Sequence, residues 1–337
     1  MREGTMGTTR IITQLADVTS YDPTVLTIGF FDGVHRGHQQ LLRQMIDFAS
    51  QQGARATLIT FWPHPRNVLR PEEPIHLLTT REEKLSLFTE FEGLDTVVEM
   101  PFTLEMAQLT PREYLGLLSS YLKLQGIVGG SNFTFGHNRA GNMAWLRRYG
   151  QKAGLAVWTI GLAANGEVIS SSRIREYIAA GRVEEAAKLL GRFYTLAGTV
   201  IQGDRRGRLL GYPTANLYLD EVKLLPANGV YAVRVQMPGN ERDWRPGVAN
   251  VGVRPTFGEG NQLRVEVHIF DIQRDLYGQQ LTVEFVARLR DDIQFHSTEA
   301  LQIEMATDVE RARKLLTASI HSVYSTSTSY LANPAIA

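Results

Sequence analysis

The chain of 337 residues contains no cysteine. That excludes a disulfide scaffold, a thiolate metal centre and a cysteine nucleophile together. Neither sign of charge is in excess, with 35 Lys+Arg against 35 Asp+Glu. A general nucleic-acid coat or a polybasic membrane binder needs a positive surplus, so neither nucleic acid nor membrane is an expected partner. No stretch approaches the ~18 apolar residues of a membrane span. The best candidate, residues 155–164, is short, is interrupted by Thr159 and Gly161, and reads as a buried strand. Residues 1–10 lack the apolar centre of a secretory signal, and a cytoplasmic location is expected. There is no internal repeat, no low-complexity tract and no G-x-x-x-x-G-K-[ST] phosphate loop. What remains is an ordinary globular composition, 43% hydrophobic and 21% charged. The length suggests about two domains, each able to bury a core without a disulfide or metal staple.

The first half alternates strand and helix patterns. Residues 25–31, 56–61, 95–100, 126–130 and 155–160 are short apolar runs rich in strand formers. Between the first two runs, Leu41, Leu42, Met45, Ile46 and Ala49 recur at helical spacing. Helices are also expected over 79–91 and 142–153. Another opens at Thr110-Pro111-Arg112-Glu113, a capping box with proline in the first turn. Strands separated by helices predict a parallel α/β sheet, whose ligands bind beyond the carboxyl ends of the strands. Near Arg192 the pattern changes. Runs at 194–201, 229–236, 247–251, 264–270 and 281–289 predict an antiparallel sheet or small β-barrel, closed by a helix over 297–316. The Ser- and Thr-rich end is expected to fray. The expected domains are therefore residues 20–190 and 191–318, with 319–337 as a tail.

Two elements in the first half carry chemistry. The first strand runs into Asp32-Gly33-Val34-His35-Arg36-Gly37-His38, and a helix follows. Gly33 and Gly37 let backbone approach a ligand, the helix start supplies free N–H groups, and two imidazoles can donate to phosphoryl oxygens. The second is Ile169-Ser170-Ser171-Ser172-Arg173-Ile174-Arg175. Ser171 or Ser172 alone would serve as a simple helix cap. Cations in a first turn oppose the helix dipole and make sense when an anion sits between them.

Together these two elements resemble the HxGH and ISSTxIR signatures of the nucleotidylyltransferase superfamily. Residues Phe31 to Gln39 resemble the amino-terminal half of the prokaryotic bifunctional riboflavin kinase/FAD synthetase family. So do Thr60-Phe61-Trp62-Pro63-His64-Pro65, Glu83-Lys84 and the run from Gly129 to Gly136. Two positions depart from the family pattern: Trp62 stands where an acid is usual, and Ser172 where Thr is usual. In the second half, Gly211-Tyr212-Pro213-Thr214-Ala215-Asn216-Leu217 is similar to the PTAN signature of riboflavin kinases. Asn250 to Phe257, Val265 to Asp271, Asp275 to Gly278 and Arg288 to Asp292 extend that match.

The resemblance implies two ATP-dependent steps, riboflavin to FMN and FMN to FAD with release of pyrophosphate, and a need for Mg2+ in both. In the first half it implies that His35 and His38 act on the phosphates and that Ser171, Ser172 and Arg175 hold the departing ones. Asn132 would contact flavin or nucleotide, and Phe61 and Phe133 would line the flavin pocket, unless they are ordinary core. In the second half Gly203, Arg208 and Gly211 would form a loop over phosphates. Thr214 and Asn216 would hold Mg2+, Glu266 would be the base, and Arg290 would contact the flavin or its phosphate. Two alternatives keep the fold: a chain with only the kinase half active, and a non-catalytic flavin-binding regulator. A third reading is transfer to another phosphorylated precursor, against which the kinase-like second half argues. Mere binding needs neither a paired-histidine turn nor a base.

Overall fold

The computed structural model describes residues 9–19, 21–161, 163–164, 167–203, 211–240, 242–254, 262–272 and 274–319. The chain divides into two compact units between Ser171 and Ser172.

The first unit contains β1 (Arg10–Ile12), β2 (Pro23–Ile28), α1 (Arg36–Gln51), β3 (Arg55–Trp62), α2 (Pro65–Leu69), α3 (Arg81–Thr89), β4 (Thr96–Pro101), α4 (Leu104–Gln108) and α5 (Pro111–Tyr121). There follow β5 (Lys123–Gly130), the short β6 (Thr134–Phe135) and β7 (Gly141–Asn142), α6 (Met143–Ala153) and β8 (Ala156–Ile160). The small hairpin of β9 (Ala163–Ala164) and β10 (Glu167–Val168) ends the strands of this unit. Six strands form one parallel sheet in the order β1-β4-β3-β2-β5-β8.

This sheet is buried on both faces, so its strands show continuous apolar runs rather than alternation. Val25, Leu58, Val97 and Val128 point to a core with Leu41, Leu42 and Met45 of α1 and Phe88 of α3. Their neighbours Leu26, Ile59, Val98 and Ile127 point to the opposite core, with Leu115 and Leu118 of α5 and Leu146 of α6. The chain runs outward from β2 through β3 to β4, then returns to place β5 on the other side of β2. The crevice at such a reversal is where open α/β sheets bind ligands. The two loops that leave it start at Gly29 and Ser131, and they carry the paired histidines and Asn132.

The second unit begins with α7 (Ser171–Ala179, all but its first residue) and α8 (Val183–Leu190). Six strands follow: β11 (Tyr194–Ile201), β12 (Ala215–Leu219), β13 (Gly229–Gln236), β14 (Trp244–Arg254), β15 (Gln262–Ile269) and β16 (Gln280–Arg290). They close into an antiparallel barrel in the order β11-β12-β15-β14-β13-β16. Closure leaves no exposed sheet edge. Leu196, Leu217, Val233, Val251, Val265, Val267, Val283 and Phe285 are buried in it. The terminal helix α9 (Thr298–Ser319) lays Ala312 and Leu316 against Phe193, Ala232, Phe270 and Val286. The parallel α/β sheet, the barrel and the closing helix are those expected from the sequence pattern. β1, β12, the short strands β6, β7, β9 and β10, and the helices α2, α4 and α8 are additional.

Candidate active sites

The turn after β2 is held in a shape that ordinary residues rarely adopt. Phe31 and Val34 have φ of 60° and 38°, and Gly33 has 77°. A positive φ at a bulky residue persists only when its surroundings impose it. Here the agent is Asp32, whose buried carboxylate accepts from the backbone N–H of Leu78 at 3.0 Å and of Thr79 at 3.1 Å, and from the Thr79 hydroxyl at 3.2 Å. Thr79 Oγ1 in turn accepts from Gly33 N at 3.1 Å. Asp32 has no role in the sequence reading; its place at the start of the turn was the only signal.

His35 and His38 come together at the start of α1. Their rings stack with centroids 3.5 Å apart and planes 16° from parallel. The His38 backbone N–H donates to His35 Nδ1 at 3.3 Å, which caps the helix and leaves the His35 proton for Nε2. Burial, reinforced by the neighbouring His35, holds the His38 pKa well below the ordinary imidazole value. His38 Nδ1 is buried with no hydrogen-bond partner. A Cβ on Gly37 would lie 3.3 Å from the His35 ring and 3.7 Å from Ile169 Cβ, so glycine allows this close packing.

Ser171 joins this group: its hydroxyl donates to the Asp32 carbonyl at 3.0 Å. Ser172 is exposed and Arg175 half-buried, three residues apart on one side of α7 within the second unit. Asn132 is exposed in the loop after β5. Phe133 stacks on Phe135 at 5.3 Å, and both join the core that holds Phe61. Phe61 is buried and meets Phe102 edge-on at 5.8 Å. Trp62 is half-buried at the end of β3.

In the barrel, strand register gathers three polar side chains. β15 lies between β12 and β14, and Glu266 is directly opposite Asn216 on one side and Asn250 on the other. The inward neighbours Leu217, Val265, Val267, Ala249 and Val251 are buried, so alternation turns all three to the outer face. Asn216 Oδ1 and Asn250 Oδ1 are buried without a hydrogen-bond partner. The Glu266 carboxylate makes no hydrogen bond or ion pair with any described residue. Two buried amide oxygens left without donors are unfavourable for the fold alone, since a buried unsatisfied polar group costs ~1–3 kcal/mol. They suit a site that receives donors or a cation from outside.

The surroundings fit that reading. Gly203 lies against the Asn216 carboxamide, where a Cβ would fall 2.2 Å from Nδ2. Pro213 O accepts from His268 Nδ1 at 2.8 Å, which fixes the segment carrying Thr214 to β15. Gly211 takes φ of 86°. Arg208 lies outside the described residues. Arg290 grips the buried Asp308 of α9 through Nε at 3.1 Å and a terminal nitrogen at 2.8 Å. Its other terminal nitrogen donates to Asp291 O at 3.0 Å. Asn250 lies in a sequence motif that gives it no role; only the strand register shows that it flanks Glu266. Among the described residues no three His, Asp or Glu side chains gather to hold a metal.

Comparison with known proteins covers both units. Residues 18–173 match the FAD synthetase family and residues 190–316 the riboflavin kinase family. A bifunctional riboflavin kinase/FMN adenylyltransferase from Pseudomonas fluorescens is 37% identical, over 88% of this chain and 94% of its own length. One from Listeria monocytogenes is 34% identical, over 86% and 91%. A crystal structure described as a macrolide-efflux protein from Streptococcus pneumoniae superposes with a TM-score of 0.81 at 33% identity, covering 90% of this chain and 98% of that one. Efflux is the description of that protein; among the described residues of this chain no helix is long and apolar enough to cross a membrane. Two family matches in tandem, each over a unit with its own polar site, and relatives aligned over most of both lengths lead to one conclusion: the chain belongs to the bifunctional riboflavin kinase/FMN adenylyltransferase family.

Proposed function

We propose that the paired-histidine turn carries out adenylyl transfer and that the Asn216–Glu266–Asn250 row carries out the kinase step. The riboflavin kinase and FMN adenylyltransferase activities come with the family. The single observation behind the assignment is that each unit has its own polar site with buried atoms left unpartnered, His38 Nδ1 in the first and Asn216 and Asn250 Oδ1 in the second.

In the kinase step a primary alcohol of riboflavin attacks the γ-phosphorus of ATP and ADP leaves. Glu266, free of competing hydrogen bonds among the described residues, takes the alcohol proton. The orphaned Asn216 Oδ1 has the chemistry of a ligand for a hard cation, and Thr214 supplies a second neutral oxygen. Mg2+ held there would neutralise charge on the ATP phosphates. Gly203 and Gly211 flank the loop expected over those phosphates. Arg290 we assign to anchoring α9, because each of its three nitrogens already donates to Asp308 or to Asp291 O.

In the adenylyl step a phosphate oxygen of FMN attacks the α-phosphorus of ATP and pyrophosphate leaves. Both reactants are anions, so positioning and charge stabilisation carry the catalysis. Gly33 and Gly37 bring backbone N–H groups close, and His35 and His38 donate to the phosphoryl oxygens. Ser171 fixes the turn through Asp32. Ser172 and Arg175 toward the departing phosphates rest on the sequence motif alone. Phe61 and Phe133 serve the flavin pocket as its packed wall, with Asn132 at its open side. A cytoplasmic location is consistent with this family and its use of ATP.

Purified protein incubated with ATP and Mg2+ should form FAD from riboflavin and, in a parallel sample, from FMN, as resolved by chromatography of the flavins. FMN accumulating without FAD in both samples would refute the assignment of the first unit, and Trp62 would be the first residue to change to an acid.

Gly203→Ala supplies a narrower test. The added methyl must displace the Asn216 carboxamide. The Mg2+ concentration needed for half-maximal FMN formation should rise about tenfold, the scale of lost support around a metal ligand. FAD formation from supplied FMN should be unaffected. An unchanged Mg2+ requirement would exclude Asn216 as a ligand.

A further inference from the structure

Lys84 of α3 is fully buried, yet it carries an ammonium. Its Nζ donates to Phe61 O at 2.9 Å and to Thr60 Oγ1 at 3.2 Å. Thr60 Oγ1 in turn donates to Phe30 O at 3.0 Å. The ammonium therefore ties the end of β3 to the segment that leaves β2 for the histidine turn. It also lies 4.1 Å from the Phe30 ring centroid and 5.7 Å from that of Trp62. Glu99 of β4 comes within 3.9 Å, but its other oxygen is taken by Arg81. One buried cation thus reaches the carboxyl ends of three adjacent parallel strands.

Stability alone does not explain a cation there. Burying an ammonium is unfavourable, and an apolar residue of similar volume usually serves a core as well or better. A buried cation repays that penalty where negative charge arrives during function. The sheet ends it touches are those from which the turn for two anionic reactants springs.

We propose that Lys84 is a positioning residue for adenylyl transfer, holding the ends of β2 and β3 in the arrangement that presents the His35–His38 turn, and that it does so only while charged. This rests on the assignment of adenylyl transfer to that turn.

Charge state gives the test. Burial pushes the Lys84 pKa down to about 8; facing it, Glu99 and Asp32 favour the charged form and Arg81 opposes it. The ordinary value is 10.5. Between the two the unfolded chain binds the proton and the folded chain does not, so this group makes the fold more stable as pH rises. A structural role and the proposed one therefore move in opposite directions: stability gains while adenylyl transfer declines.

The experiment measures kcat/KM for FAD formation from FMN between pH 7 and 9.5, alongside the melting temperature. The wild type should lose about tenfold with a midpoint near pH 8, without a fall in melting temperature over that range. In Lys84→Arg, which stays charged, the decline should vanish. Lys84→Met should lose FAD formation at least tenfold at pH 7, mainly in kcat, with FMN formation from riboflavin intact. A flat wild-type profile, or the same decline in Lys84→Arg, would overturn the proposal, and the wild-type profile decides even if both variants fail to fold. His38→Ala run in parallel separates the two readings. If it retains FAD formation, the assignment of the turn fails and Lys84 with it. If it loses FAD formation while no charge dependence is found, the Lys84 proposal alone fails.

Discussion

His38→Ala should lower FAD formation from FMN by about a hundredfold or more, while FMN formation from riboflavin continues at the wild-type rate. The size follows from losing one preorganised donor to a developing charge, ~10²–10³ in rate. The asymmetry follows from the division of the chain, since Glu266 and its neighbours belong to the other unit. His38 is disposed for the role. Its ring is half-buried, stacked on His35 and biased toward the neutral form by both circumstances. Two imidazoles this close resist carrying two charges. A neutral imidazole donates a hydrogen bond without first surrendering a hydration shell, and an arriving triphosphate can raise its proton affinity. The depressed pKa also has a thermal signature. The unfolded chain protonates His38 near its ordinary 6.5 while the folded chain does not, so this stability is present above pH 6.5 and lost as pH falls through the folded value. His38→Ala should flatten that part of the pH–stability curve. Rates of FAD and FMN formation, each normalised to protein, check the first claim; equal loss of both would contradict separate sites.

The same residues show what the sequence could reveal. The parallel sheet was legible because strands buried on both faces have no polar alternation, as in the run containing Val25 and Leu26. The barrel was legible because its strands alternate. β12 was harder: Ala215–Leu219 has Asn216 at a position that closes against a loop, and a polar residue in five interrupts the apolar signal. The paired histidines could be read from their place after a strand. The strain that shapes their turn could not, because it depends on Asp32 accepting backbone hydrogen bonds from Leu78 and Thr79, more than forty residues away in the chain. Asn250 and Lys84 were unassigned for a related reason. One becomes part of a site only through strand register, the other only through the convergence of three strand ends. Arg290 shows a structural role that the sequence did not suggest, since it holds Asp308, a partner no spacing rule points to.

Glu266→Gln should reduce FMN formation by roughly 10²–10⁴, the usual worth of a general base, and leave FAD formation from supplied FMN unchanged. It should also make the second unit more stable. In the wild type Glu266 has acceptor oxygens only, between two asparagines whose Oδ1 atoms are buried and unsatisfied. Glutamine keeps the shape and adds an N–H donor in the middle of the row. One new hydrogen bond to a buried acceptor is worth ~1 kcal/mol, or roughly 2–4 °C in melting temperature for a unit of this size. An ordinary structural carboxylate would behave in the opposite way: its replacement would cost stability and leave the rate alone. Gain of stability with loss of rate is the mark of a residue kept for chemistry against the preference of the fold. Calorimetry and a riboflavin phosphorylation assay on one preparation measure both. Unchanged kinase activity would remove Glu266 as the base. A lower melting temperature would mean that the row finds its donors within the protein, and the argument from unsatisfied oxygens would fall with it.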